Sequence, residues 1–321
     1  MRRLKSVFLC RTADPVNRVY TPEQQREIAE FTDLRPGVVT ADAIASTDLA
    51  DVEVAFSTWG MPCLTPEELA RMPKLEAVFY AAGATDHFAR PLFARGVRVV
   101  SAWRANAIPV AEFTLGQILL SMKNYFAVSE KLHSLEAWRA GGAGPGSYGE
   151  TVALIGNGAI TQHLRKLLAN FDLNVIVVPS RVERRTVSLE EAFRTAYVVS
   201  NHLPNRDDNK KVLNEELFAS MRPHATFINT GRGAQIDEEG LLRVLKRRPD
   251  LTALLDVTSP EPPESSSELY TMPNVRLTPH IAGSLNDEVH RMAKLAIDEC
   301  RRYAAGEELQ HEVTEELLMT H

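Results

Sequence analysis

Three side chains in the last third of the chain have the types needed to hold an anion and move a proton. They are Arg232 in NTGRG (residues 229–233), Glu261 in LDVTSPEP (255–262) and His280 in LTPHIAG (277–283). Histidine can give or take a proton near neutrality. An arginine fork binds a carboxylate at two points. A carboxylate beside the histidine can pair with it. Each motif follows a short apolar run, at 226–228, 253–256 and 275–277, and so falls where a strand of an open α/β sheet ends and ligands bind. Singly, Arg232 reads as a surface arginine, Glu261 as a solvated loop acid and His280 as a structural turn histidine. Together they form a set suited to acid/base work on a bound anion.

A second stretch, IGNGAITQHL (155–164), leaves an apolar run and enters a helical pattern with Leu164, Leu167, Leu168 and Phe171 on one face. Gly156 and Gly158 fill the first two positions of G-x-G-x-x-G, the turn that brings backbone N–H groups at a helix N-terminus up to a pyrophosphate. The same glycines could make only a tight connection, but the strand-turn-helix context favours the nucleotide reading. Thr161 stands in the third position, where close helix–strand contact is usual, and is expected to shift the helix slightly outward without closing the phosphate site.

To position these groups the chain needs two series of buried strands. Apolar runs at 7–10, 53–56, 77–80 and 97–100 alternate with helical spacers and make one α/β unit. Runs at 152–155, 175–178, 197–200, 226–228, 253–256 and 275–277 predict a Rossmann-type, doubly wound parallel sheet. Between the series, Ala111, Leu115, Ile118, Leu119 and Met122 share a helical face, with Pro109 near the helix start. The glycine-rich RAGGAGPGSYGE (139–150) reads as a loop, and a final helix over about 286–305 can return to the first unit. The expected domains are 1–103 with 286–321, built from both chain ends, and 104–285 for the dinucleotide.

The chain has 321 residues, 44% hydrophobic and 24% charged, enough for two cores. Its net charge is −6, and its basic residues are scattered apart from SRVERR (180–185), which argues against a nucleic-acid partner. Cys10, Cys63 and Cys300 match neither a metal knuckle nor a redox pair, so no metal is expected and a reducing cytoplasm suits the chain. The apolar part of MRRLKSVFLC is too short for a signal core, and no apolar run is long enough to span a bilayer. Apolar and glycine-rich surface on the 111–122 helix and the 139–150 loop points to a homodimer.

Seven blocks in order carry a resemblance: AAGATDHF (81–88), VAEFTLGQIL (110–119), GNGAIT (156–161), NHLP (201–204), MRPHATFINTGRGAQIDEEGLL (221–242), LDVTSPEP (255–262) and TPHIAG (278–283). The sequence resembles the D-isomer-specific 2-hydroxyacid dehydrogenases, among them phosphoglycerate, glyoxylate/hydroxypyruvate and D-lactate dehydrogenases. The likeness runs over about 50–305; the first 50 residues diverge. It implies a flavodoxin-like substrate domain and a Rossmann domain for a nicotinamide cofactor. Arg232 then matches the arginine that grips the substrate carboxylate, His280 the acid/base, and Glu261 the carboxylate that orients it. Backbone at Ala82 and Gly83 matches the loop that helps hold that carboxylate. Cofactor contacts are implied at Gly156, Gly158, Ala159, Ile160, His202, Leu203, Pro204, Thr230, Gly231, Asp256 and Gly283, with Asp256 near the carboxamide. The substrate is a small 2-keto or 2-hydroxy acid, its side chain selected around Trp59, Trp103 and Arg104.

An NAD-specific Rossmann domain has an acid at the end of its second strand, roughly 20 residues past the glycines. Here that place falls on Pro179, followed by Ser180 and Arg181, which can donate to and pair with a 2′-phosphate. NADP is favoured over NAD. Two other readings are a cofactor-sensing, corepressor-like scaffold and a formate- or phosphite-type oxidoreductase on the same fold. The chain's lack of a long disordered extension argues against the scaffold.

Overall fold

Alternation within each strand sends successive side chains to opposite faces of a sheet, and both sheets of this protein are apolar on both faces. The computed structural model describes residues 3–318; residues 1–2 and 319–321, the outer ends of the first expected domain, lie outside that range. The strands in chain order are β1 (Lys5–Cys10), β2 (Asp33–Thr40), β3 (Val54–Ser57), β4 (Ala77–Tyr80), β5 (Arg98–Ser101), β6 (Thr151–Ile155), β7 (Asn174–Val178), β8 (Val198–Asn201), β9 (Thr226–Asn229), β10 (Thr252–Leu255), β11 (Val275–Leu277) and β12 (Glu312–Val313). The chain forms two compact units, Met1–Asn106 with Ser284–His321, and Ala107–Gly283.

The first unit holds a sheet ordered β12-β5-β4-β3-β1-β2, parallel except for β12 against β5. Val54, Phe56 and Phe79 enter the cluster on one face, Ala55, Val78 and Tyr80 that on the other. The helix Val289–Ala305 supplies Val289, Met292, Ala293, Ala296, Ile297 and Cys300 to the first cluster, at helical spacing. Gly306, at φ +72, ends that helix in the left-handed conformation a side chain disfavours. Edge strand β2 carries no buried run; Pro36 and Gly37 lie where the β1–β2 register shifts.

The second unit is an all-parallel sheet ordered β11-β10-β9-β8-β6-β7. Ala153 and Ile155 of β6 face one core cluster, Val152 and Leu154 the other, and β8, β9 and β10 alternate in the same way. The order reverses between β6 and β8, which puts the glycine turn and the NHLP segment at the switch point.

One helix differs from its sequence expectation. It spans Trp103–Ser121, so Pro109 lies inside it rather than near its start. The residues before Pro109 are compatible with helix, and Asn106 N–H already donates to the Ala102 carbonyl at 3.0 Å; the proline costs the amide bond that would have reached residue 105. Among the described residues no helix is long and apolar enough to cross a membrane.

Candidate active site

At the switch point, Gly156 has φ +111, and a Cβ there would lie 2.4 Å from the carbonyl oxygen of His202. Glycine is required because the turn after β6 runs against the backbone after β8. Gly158 caps the helix Ala159–Leu168 with no side-chain hydrogen bond, and a Cβ at 158 would meet nothing within 4 Å. The first N–H groups of that helix, at Ala159 and Ile160, therefore open beside the turn. Thr161 is fully buried and its hydroxyl donates to the Gly156 carbonyl at 3.1 Å. The threonine thus ties the helix to the turn.

His202 is buried, with Nε2 2.9 Å from the Ser200 hydroxyl and Nδ1 3.3 Å from that of Thr230. Burial pushes its pKa down to about 3, so the ring is neutral at physiological pH. Leu203 belongs to the hydrophobic core, and the carbonyls of Leu203 and Pro204 accept from the Gln235 side-chain amide.

That amide is part of a network not anticipated from the motifs. Asn201, Asn229 and Gln235 are all buried, and the Asn201 amide nitrogen donates to Asn229 Oδ1 at 2.9 Å and Gln235 Oε1 at 2.6 Å. Asn229 Oδ1 takes the Gly231 N–H and Gln235 Oε1 takes the Arg232 N–H, each at 3.1 Å. Asn229 also donates to the Arg232 carbonyl at 3.3 Å, so the three amides fix the backbone on both sides of Arg232. The only cue in the sequence is an asparagine at the end of each of two neighbouring strands, β8 and β9. The Arg232 guanidinium donates to its neighbour's carbonyl, Gly231, at 2.8 Å and, among the described residues, meets no carboxylate. A Cβ at Gly233 would come 2.0 Å from the Thr258 backbone, so this glycine lets the loop after β10 pass beside Arg232.

The loop after β10 carries Glu261, whose Oε1 lies 2.5 Å from His280 Nδ1. The two side chains are 40% and 49% exposed, so the pair is open to a small molecule. His280 has φ +55, a conformation unfavourable for a side chain. It is held by Asp256, at the end of β10. The Asp256 carbonyl accepts the His280 N–H at 3.1 Å, Oδ1 accepts the Thr278 hydroxyl at 2.6 Å and the Ile281 N–H at 2.8 Å, and Oδ2 accepts the Ala282 N–H at 3.0 Å. The buried Asp256 carboxylate is thus engaged by three donors of its own chain.

Of the other expected positions, Ser180 and Arg181 follow β7 at the far edge of this sheet, and Arg185 reaches back to the carbonyls of Pro179 and Ser180, both at 2.9 Å. Gly283 is the last residue of the second unit. Ala82 and Gly83 belong to the first unit, after β4, where the Ser101 hydroxyl holds their carbonyls at 2.9 and 2.6 Å.

A switch-point glycine turn, and an arginine, acid and histidine at the ends of β9, β10 and β11, define a class of two-unit α/β dehydrogenase-like proteins. The chain belongs to the D-isomer specific 2-hydroxyacid dehydrogenase family, whose NAD binding domain matches residues 115–282. It is 29% identical over 254 residues to D-3-phosphoglycerate dehydrogenase of Methanocaldococcus jannaschii, covering 76% of this chain and 48% of that one. It is 30% identical over 247 residues to glyoxylate/hydroxypyruvate reductase B of Shigella boydii, covering 72% and 75%. The apo structure of D-mandelate dehydrogenase from Rhodotorula graminis shares the fold, with a TM-score of 0.81, 98% of each chain covered and 21% identity. The chain spans between 33% and 59% of the length of several curated relatives that it matches.

Proposed function

We propose that the protein is an NAD(P)-dependent oxidoreductase that interconverts a small 2-keto acid and a D-2-hydroxy acid by hydride transfer, with His280 as acid/base. The observation that carries this reading is the Glu261–His280 hydrogen bond, set on a loop that Asp256 clamps. With Nδ1 engaged, Nε2 is the ring nitrogen left to exchange a proton with the substrate oxygen. In reduction it donates that proton to the developing alkoxide; in oxidation it removes it. Arg232, which meets no carboxylate among the described residues, pairs with the substrate carboxylate and stabilises charge growing on the carbonyl oxygen.

The residues at the switch point fit a dinucleotide. The Gly156 turn and the uncapped helix start at Gly158 offer N–H groups suited to a pyrophosphate. His202, Leu203, Pro204, Thr230 and Gly231 line the neighbouring strand ends. The bound nicotinamide supplies or accepts the hydride. NADP(H) is the preferred form, because residues 179–181 carry no acid and Arg181 has no ion pair among the described residues. No specific observation favours the scaffold reading. Leu135, Trp138 and Tyr148 are more than half exposed, which supports a homodimer; light scattering that gives the mass of one 35.7 kDa chain at assay concentration would count against it.

The test is a panel of 2-keto acids with NADH and NADPH, applied to the wild type, His280→Ala and Arg232→Ala. Each variant is expected to cut reduction of the best acid roughly 10²–10⁴-fold while cofactor affinity, read by fluorescence titration, stays close to wild type. Near-wild-type turnover in either variant would remove the mechanism.

A further inference from the structure

Gln235 is 1% exposed, and its side chain uses both of its N–H donors and both lone pairs of its oxygen. Oε1 accepts the Arg232 N–H at 3.1 Å and the Asn201 amide at 2.6 Å; Nε2 donates to the carbonyls of Leu203 at 2.7 Å and Pro204 at 2.9 Å. The oxygen thus faces the loop of the arginine, and the nitrogen faces the segment that packs on the Gly156 turn. All of these residues belong to the second unit.

The backbone that carries this amide is anchored from a third direction. The Leu213 N–H donates to the Gln235 carbonyl at 3.0 Å, the Asp237 N–H to the Leu213 carbonyl at 2.9 Å and the Lys211 N–H to the Ala234 carbonyl at 2.9 Å. Neither Arg232 nor residues 202–204 take part in that anchor, so Gln235 is a post held apart from the two loops it ties. The Pro204 carbonyl also accepts from the Asn209 amide at 3.0 Å and the Arg206 N–H at 2.9 Å, so loss of Gln235 is felt chiefly at the Leu203 carbonyl.

We propose that Gln235 is a positioning residue shared by both ligands of the site. Through Oε1 it sets Arg232 for the substrate carboxylate, and through Nε2 it sets Leu203 and Pro204 for the dinucleotide. This rests on the dehydrogenase reading above.

The two atoms can be tested apart on the full chain. Gln235→Met removes both functions, and is expected to lower kcat/KM for the best 2-keto acid about tenfold, mostly through KM, and to weaken NADPH binding about tenfold. Gln235→Glu keeps an oxygen for the Arg232 N–H but brings at most one donor to two carbonyls. It should recover most of the substrate loss while NADPH binding stays weak. In an Arg232→Met background, at saturating cofactor, Gln235→Met should cost the keto acid almost nothing further, because the group it positions is gone. Losses that multiply in the double variant, or a Gln235→Glu that harms both ligands equally or neither, would reduce Gln235 to a support of the fold and overturn the proposal. If Gln235→Met does not fold, Gln235→Glu against wild type carries the same comparison. If the wild type reduces no keto acid, the dehydrogenase reading fails, and calorimetric titration with oxamate and NADPH decides the rest. The positioning role then stands if Gln235→Glu weakens NADPH and spares oxamate, and is lost if both or neither weaken or if the wild type binds neither.

Discussion

Asp256 Oδ1 accepts the backbone N–H of Ile281 at 2.8 Å, one residue past the histidine that pairs with Glu261. The Thr278 hydroxyl and the Ala282 N–H complete a clamp on both sides of His280. Hydrogen bonds to a charged group contribute about 1.5–3 kcal/mol each. They offset the roughly 1–3 kcal/mol cost of a left-handed residue. Asp256→Ala is expected to lower Tm and to reduce kcat by about two orders of magnitude, since a misplaced proton donor loses the alignment on which the rate depends. Thermal unfolding and kinetics on one preparation check this; a destabilised variant with wild-type kcat would show that the clamp serves only the fold.

The two glycines of the turn should behave differently. Gly156→Ala forces a Cβ against the His202 carbonyl at positive φ, and is expected to lose several degrees of Tm or to fail to fold. Gly158→Ala meets open space at an ordinary φ, so Tm should stay within a degree or two of wild type while dinucleotide affinity falls. Equal damage to Tm at both positions would contradict the assignment of Gly156 to the fold and Gly158 to the cofactor.

For cofactor choice, the expected outcome is a higher kcat/KM with NADPH than with NADH, reduced about tenfold by Arg181→Ala with NADH little changed. Direct titration of both nucleotides supplies the affinity ratio. A wild type that prefers NADH, with that preference unchanged in the variant, would remove Arg181 from the selection.

His202 predicts an acid limb in stability. Its folded pKa is about 3 against an ordinary 6.5, so below pH 6.5 the unfolded chain takes up a proton that the buried ring refuses. Stability is therefore full above 6.5 and falls with pH until about 3, by roughly 2 kcal/mol at pH 5. His311, also lowered by burial, acts in the same direction. Urea unfolding of wild type and His202→Gln at pH 7.5 and 5 isolates the His202 share, which the variant should lack. Parallel pH profiles would return His202 to the ordinary range.

The second sheet was readable because its inner strands are buried on both faces and all are written as short apolar runs, such as VALI before the glycine turn. Strand β2 was not, because an exposed edge strand containing Pro36 and Gly37 has no such pattern. Arg232, Glu261 and His280 announced themselves by chemical type next to strand ends. The amides of Asn201, Asn229 and Gln235 did not, because their role comes from meeting one another across separate strands. The acceptor that the Thr161 hydroxyl finds inside the turn was not legible either, since only the fold brings the Gly156 carbonyl to it.

Strands β9, β10 and β11 end level, with Asn229 beside Leu255 and Leu255 beside Leu277. Arg232 and His280 each stand three residues beyond their strand's last residue. The sheet thus acts as a ruler for the chemistry. One residue inserted in any of the three strands would displace its group by about 3.3 Å along the strand and turn the alternating side chains to the wrong face. Insertions or deletions are therefore expected to be tolerated best in connections that begin after these side chains, such as the stretch from Pro262 to Ser267. Such a connection can grow or shrink without moving the groups that the three strand ends align.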